Sequence, residues 1–305
     1  MSIYLPIAEM SLSLPLLLGL GLAVGVISGM FGIGGGFIMT PMLIFLGVPP
    51  SIAVGTGASQ VTASSVSGAM GHWQRGNVDV AMGMFLIVGG LFGVGLGVRL
   101  QLFLKEIGQL ELFINLCYVV LLGTIGTLML IESVRAILRS ADPKGPLTRL
   151  TRHHNFLHGL PFKRRYRTAK LYISTLPVVA IGAVVGWLTA IMGVGGGFLL
   201  IPALIYVLRV PTRVALGTSS FQVIFVTMVA TVLQSVSIHS VDIMLGLPLM
   251  AGGVVGAQIG VRLGERLAAA QLRAVLAALV LFVAVRMALT IVIEPENLIS
   301  LEVVP

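Results

Sequence analysis

Gly32-Ile33-Gly34-Gly35-Gly36-Phe37-Ile38-Met39-Thr40-Pro41 returns as Gly193-Val194-Gly195-Gly196-Gly197-Phe198-Leu199-Leu200-Ile201-Pro202, each time in apolar surroundings. Four glycines within five positions weaken helix formation by about 1 kcal/mol each relative to alanine. Each copy therefore reads as a break in a helix. The proline nine positions after the first glycine helps to place the restart. A helix beginning near Phe37 or Ile38 holds Pro41 in its first turn, where no backbone hydrogen bond is lost. Inside a bilayer, irregular backbone is tolerated only when buried in protein or lining a wet cavity. Two breaks thus predict a cavity near mid-membrane, with the positive ends of two half-helices aimed into it, which suits an anion.

The surroundings are those of a membrane protein. Of the 305 residues 57% are hydrophobic and only 10% charged, with a mean hydropathy of +1.05; a soluble domain carries about a quarter charged residues. Met1 to Met10 has Glu9 and no Lys or Arg, so the basic start of a cleavable signal peptide is missing and the first segment is expected to stay. The single cysteine, Cys117, lies in an apolar run, which excludes an internal disulfide or a multi-thiolate metal site. The net charge of +8 resides in loops and forms no continuous basic face, so nucleic acid is not an expected partner.

Each half yields five apolar segments in one order. The first half gives 12–31, 37–46, 51–71, 78–100 and 110–131; the second gives 171–192, 198–208, 214–237, 243–263 and 272–293. The second segment of each half is about half the roughly 20 residues needed to span. The halves also align by residue. The glycine blocks are offset by 161. Val48-Pro49, Ala53, Gly55-Thr56 and Gln60-Val61 then match Val210-Pro211, Ala215, Gly217-Thr218 and Gln222-Val223; Gly89, Gly93, Gly97 and Val98-Arg99-Leu100 match Gly252, Gly256, Gly260 and Val261-Arg262-Leu263. Five segments is odd, so the second copy is expected upside down. An outside N-terminus puts 16 of the 19 Lys and Arg in the cytoplasm: Arg75, the twelve from Arg135 to Arg213, and Arg262, Arg266 and Arg273.

The expected fold is an all-α polytopic membrane protein of two inverted-topology repeats with five hydrophobic segments each, the first two of each repeat forming a broken or re-entrant pair. Its parts are a first transmembrane repeat over 11–133, a basic cytoplasmic loop over 134–170 and a second repeat over 171–293. The N- and C-termini are expected to be periplasmic. His153, His154 and His158 in the loop stand among Arg149, Arg152 and Lys163-Arg164-Arg165 and read as a solvated basic stretch near anionic lipid, not a metal site.

Thr56 and Gln60, like Thr218 and Gln222, are four apart and share a helical face. With Ser59 and Ser219 beside them, they are candidates to supplement the backbone donors of Gly34, Gly35, Gly36, Phe37 and of Gly195, Gly196, Gly197, Phe198. Helix-to-helix packing is the competing role, and the serines fit it better than the glutamines do. Neither the breaks nor the polar helices contain Lys, Arg, Asp or Glu. An anion held by dipoles alone is readily released, which suits transport. The predicted core lacks a nucleophile and base or paired carboxylates, which argues against an enzyme. Gly89, Gly93, Gly97 and their counterparts read as close-packing stripes. Asp79 and Asp242 stand at segment ends, where solvation suffices.

The duplicated Gly-x-Gly-Gly-Gly-Phe block with its proline, the Gly-Thr-x-x-x-Gln block and the Gly-x-Arg-Leu end resemble the TauE/SafE family of sulfite and sulfonate exporters over residues 12 to 293. The resemblance implies passage of small organosulfur anions such as sulfite, sulfoacetate or other sulfonates across a bacterial inner membrane, with the site on the glycine breaks and on Thr56, Gln60, Thr218 and Gln222. Phe221 stands where the first copy has Ser59, so the half-sites are unequal. The expected partners are a small anion and membrane lipid; a homo-oligomer is left open, and no cofactor or metal is expected. An anion channel and a membrane-embedded enzyme of sulfur metabolism remain the alternatives.

Overall fold

A computed structural model describes residues 2–31, 34–140, 163–166, 168–169, 171–264, 278 and 280–289. Gly32, the three loop histidines, Arg266 and Arg273 lie outside the described residues. The chain divides into two compact units, Met1–Glu111 with Pro146–Leu267, and Leu112–Gly145 with Ala268–Pro305.

The larger unit begins with a hairpin of β1 (Ser2–Leu5) and β2 (Met10–Ser13), followed by α1 (Leu14–Phe31), α2 (Gly36–Phe45), α3 (Pro50–Gln74) and α4 (Val80–Glu106). The smaller unit contains α5 (Leu110–Ser140), counted here with the unit that holds most of it. The larger unit resumes with a hairpin of β3 (Lys163–Tyr166) and β4 (Leu171–Ser174), then α6 (Thr175–Met192), α7 (Gly197–Pro202) with a π-helical continuation over Ala203–Val207, α8 (Thr212–Ser237) and α9 (Ile243–Gly264). In the smaller unit, α10 (Val280–Leu289) lies along α5 at Gly126, where an added Cβ would sit 3.1 Å from both Leu281 and Val280 side-chain carbons.

Two details depart from the sequence-based expectation. The segments at 12 and 171 do not begin as helices: Leu12 and Leu171 sit in hairpins whose registers, Ser2 opposite Ser13 and Lys163 opposite Ser174, repeat at the 161 offset. Apolarity marks burial but not conformation, and Leu171-Tyr172-Ile173-Ser174 is as compatible with a strand as with a helix. The restart also comes earlier than expected. The first helical residues are Gly36 and Gly197, so Pro41 and Pro202 fall beyond the first turn, inside their helices. Each proline has no N–H to give the carbonyl four residues back. After Pro41 the α-helix continues; after Pro202 the winding widens to π.

Five helices among the described residues are long and apolar enough to cross a membrane: α4, the Leu110–Leu128 part of α5, α6, α8, and α9 to Leu263. α3 is long enough at 25 residues, but its interior carries buried Thr56, Ser59, Gln60, Ser64 and Ser65. Helices of the two sequence halves interleave. α1 packs along α9 and α4 along α6 through the glycine stripes. Gly21, Gly25 and Gly29 meet Leu249, Gly253 and Ala257 in turn, so α1 and α9 run parallel. A Cβ on Gly29 or on Gly93 would strike the carbonyl oxygen of Ala257 or of Ala183.

Candidate functional site

The two breaks are built alike. Gly34 and Gly35 have φ of 86° and 73°, and Gly195 and Gly196 have 75° and 74°, a left-handed conformation that only glycine takes without strain. The Gly35 carbonyl accepts from the N–H groups of Ile38 and Met39 at 3.2 Å, and that of Gly196 from Leu199 and Leu200 at 3.1 and 2.8 Å. Helix geometry leaves the N–H groups of Gly36, Phe37, Gly197 and Phe198 without an intrahelical acceptor. The breaks also meet. The Phe37 and Phe198 rings stack with centroids 4.7 Å apart and an interplanar angle of 11°. A Cβ on Gly36 would lie 2.6 Å from the Gly193 carbonyl oxygen. Val61 faces both Gly34 and Gly195, as does Val223.

One residue before each of those valines stands a glutamine. Gln60 and Gln222 are fully buried, and neither the amide nitrogen nor the oxygen of either has a hydrogen-bond partner. Gln60 rests on Gly253 of α9 and Gln222 on Gly90 of α4, where a Cβ would come within 2.5 and 3.0 Å of the amide nitrogens. Gly253 in turn touches Gly25 of α1, one residue from Val24, which packs on Gly35. Gly186 of α6, next to Val185 on Gly196, touches Gly90 in the same way. An unsatisfied buried amide costs on the order of 1–3 kcal/mol per group, and this structure leaves two of them at equivalent positions beside the breaks.

The threonines behave differently. Thr56 Oγ1 accepts from the N–H of Asp242 at 3.0 Å, and Thr218 Oγ1 from the N–H of Asp79 at 3.0 Å. Each aspartate is buried, and its carboxylate accepts from three N–H donors. Asp242 accepts from Ile7 in the first hairpin turn and from Met244 and Leu245 at the start of α9. Asp79 accepts from Thr168 and Ala169 in the second hairpin turn and from Met82 in α4. At 2% and 0% exposed, the two carboxylates are structural corners and not solvated segment ends. Ser59 and Ser219 donate to the Thr56 and Leu216 carbonyls at 2.6 and 3.0 Å, which engages both hydroxyls within their own helices. Thus the glycines and phenylalanines of the two breaks come together, each glutamine stands one residue from a valine that packs on them, the threonines are tied to buried aspartates far away in the sequence, and the serines bond within their own helices.

Several polar groups outside the expected site lie beside the breaks. A partly open cavity is lined by Ser28, Gly34, Ser64, Ser65, His72 and Ser220, among others. The Ser65 hydroxyl and His72 Nδ1 are buried and unpartnered, as is Thr40 Oγ1. Gly90 and Gly253, each following a matched stripe glycine at the 163 offset, were legible as a pair. Near the Asp79 corner, burial and the Asp79 carboxylate push the Tyr166 phenol up to about 12, opposed by Arg164. Among the described residues no group of three His, Cys, Asp or Glu is placed to hold a metal ion.

Broken helices that meet inside a bundle containing membrane-length helices define the class as a polytopic membrane protein. The chain belongs to the TauE/SafE sulfite exporter family, whose model matches residues 17–287. It is 30% identical to a probable membrane transporter protein of Xylella fastidiosa strain 9a5c over 246 residues, 80% of this chain and 82% of that one. It is 26% identical to the probable membrane transporter protein YjnA of Bacillus subtilis over 238 residues, 78% of this chain and 85% of that one. A sulfite exporter TauE/SafE family protein 3 of Arabidopsis thaliana matches at 33% over 67 residues, 22% of this chain and 14% of that protein. No solved structure matches.

Proposed function

We propose that the protein is a secondary transporter exporting small organosulfur oxyanions, such as sulfite, sulfoacetate or other sulfonates, across a bacterial inner membrane. It works by alternating access about the glycine breaks. The observation that carries this reading is the pair of buried, unpartnered amides of Gln60 and Gln222 beside half-helix N-termini free of charged side chains. Amide N–H groups from Gln60, Gln222, Gly36, Phe37, Gly197 and Phe198 present donors to an oxyanion without a fixed counter-charge, so binding stays reversible.

The two repeats, over 11–133 and 171–293, have opposite membrane orientation, with periplasmic termini and the basic loop over 134–170 in the cytoplasm. The Lys/Arg distribution and the interleaved pairing of α1 with α9 and α4 with α6 support this arrangement. A cytoplasm negative inside drives an anion outward by about 2.3 kcal/mol per charge per 100 mV, so export needs no coupling ion. Replacing both glutamines (Gln60→Ala with Gln222→Ala) is expected to abolish sulfite and sulfonate flux in proteoliposomes while leaving the detergent-solubilised fold intact. Unchanged flux removes the glutamines from the site, and flux that never saturates replaces the transporter with a channel.

A further inference from the structure

The cavity beside the first break has a counterpart in the other repeat, and the two differ in a way that bears on binding. At the repeat offsets, Ser28, Gly29, Ser64, Ser65, Gly68, His72 and Val261 correspond to Thr189, Ala190, Val226, Thr227, Ala230, Gln234 and Val98. In the second set, Val98, Ala190, Val226 and Ala230 close into one buried apolar cluster with Val94 and Ile238. Most of its polar atoms are engaged, while Gln234 Oε1 is buried without a partner. Gln234 and Gln101 both donate to the Ala190 carbonyl, at 2.6 and 3.0 Å, and Thr227 shares a 2.7 Å hydrogen bond with Thr62. Lys105, one turn beyond Gln101, donates to the Ile238 carbonyl at 2.8 Å and ties the same end. The first set instead encloses a partly open polar space.

Within that space the hydroxyls are not equivalent. Ser64 donates to the Gly34 and Val61 carbonyls at 3.2 and 3.1 Å, and Ser220 to Leu216 at 2.9 Å. Ser65, 4% exposed, and His72 have buried atoms with no partner, and both line the same cavity. Ser65 also faces the break itself, since a Cβ on Gly34 would lie 3.1 Å from its hydroxyl. Among the described residues no carboxylate lines the space. Two unengaged polar groups, no acidic side chain among the described lining residues and direct contiguity with a glycine break fit a small oxyanion better than a cation or an apolar solute.

We infer that Ser65 and His72 form a second oxyanion-binding site, a one-sided vestibule through which small sulfonates reach the central breaks, and that its counterpart at Gln101, Ala190 and Gln234 is the closed side of the same route. This inference rests on the transport reading above for the route, though not for the binding. With the proposed orientation, the vestibule opens toward the cytoplasm, where an exporter loads.

Cysteine accessibility tests it. With Cys117 replaced by serine, Ser65→Cys and Thr227→Cys are each exposed to a negatively charged methanethiosulfonate reagent in the full-length protein in detergent, with methanesulfonate as the competing oxyanion. Ser65→Cys is expected to react at least about tenfold faster than Thr227→Cys, and methanesulfonate is expected to slow it in a saturable way. Copying the closed side into the open one (Ser64→Val with Gly68→Ala) should remove that reaction. A Cβ on Gly68 has only the Ser220 hydroxyl nearby, at 4.0 Å, so the space accepts it and the variant is expected to fold. His72→Leu, which removes the imidazole's hydrogen-bonding nitrogens, should weaken protection by methanesulfonate about tenfold, the effect of one hydrogen bond to an anion. Equal rates at the two cysteines, or a Ser65→Cys rate that methanesulfonate leaves unchanged, overturn the vestibule. If protection is seen but native protein carries no sulfonate in proteoliposomes, the binding site stands and the transport reading falls. Flux that depends on Gln60 and Gln222 without protection at Ser65→Cys keeps the transport reading and overturns the vestibule.

Discussion

The Asp79 and Asp242 corners are nearly superimposable in their chemistry, whereas the cavities a few turns away, around Ser65 and Thr227, are not. Each corner has a buried carboxylate with three N–H donors, and a threonine accepting its backbone N–H from the other repeat. The cavities kept the backbone correspondence and changed the side chains, from hydroxyls and an imidazole to valine, alanine and a clamped glutamine. A scaffold must be satisfied equally in both copies, because an unpaired buried group costs the same wherever it lies. A route of the kind proposed above, opening to one side at a time, need not be lined equally.

The largest expected effect tests the equality of the corners. Asp79→Ala and Asp242→Ala each leave three buried or partly buried N–H donors without an acceptor and should each cost on the order of 3 kcal/mol, read as similar falls in thermal unfolding temperature in detergent. Unequal falls break the comparison. Next, Gly93→Ala forces a methyl against the Ala183 carbonyl and should destabilise the α4 and α6 pair by about 1–3 kcal/mol. Gly95→Ala two residues on, with nothing within 4 Å, should stabilise by up to about 1 kcal/mol. A smaller loss, about 1 kcal/mol each, is expected for Thr56→Val and Thr218→Val, with sulfonate flux retained; flux lost at native stability returns the threonines to the substrate site.

The smallest effect separates the corners. Tyr166 occupies the position that Leu5 holds in the first hairpin, and its phenol is held up at about 12 against the ordinary 10. The folded state therefore holds the phenolic proton more tightly. Its contribution is complete below pH 10 and is lost as pH rises toward 12. Tyr166→Phe should flatten the alkaline side of the stability curve and leave neutral pH unchanged, measured by thermal unfolding across that range.

The repeat was legible because both copies preserve glycine and proline at fixed spacing, and those residues act through their own backbones wherever they sit. The glutamines were legible for a related reason: an uncharged polar side chain recurring in an apolar helix needs an explanation from outside the helix. The hairpins, the early helix restarts and the threonine-to-aspartate bonds were not. Whether Leu171 starts a strand or a helix, and whether Thr56 reaches a ligand or the N–H of Asp242, depends on a partner strand in the first case and on a neighbour 186 residues away in the second. Likewise, Ser65 and Thr227 differ by one methyl in the sequence; only packing leaves one hydroxyl unpaired in a cavity and bonds the other to Thr62.

By itself the sequence determined a helical membrane chain, duplicated, interrupted twice by glycine, and without charge at those interruptions, because composition and backbone preference are local properties. The tertiary structure decided that the interruptions meet at Phe37 and Phe198, that the aspartates are buried corners, and that one cavity is open while its counterpart is filled. Those outcomes depend on which groups share a buried volume and on whether each polar atom finds a partner there, and such pairings exist only between segments that the chain has brought together.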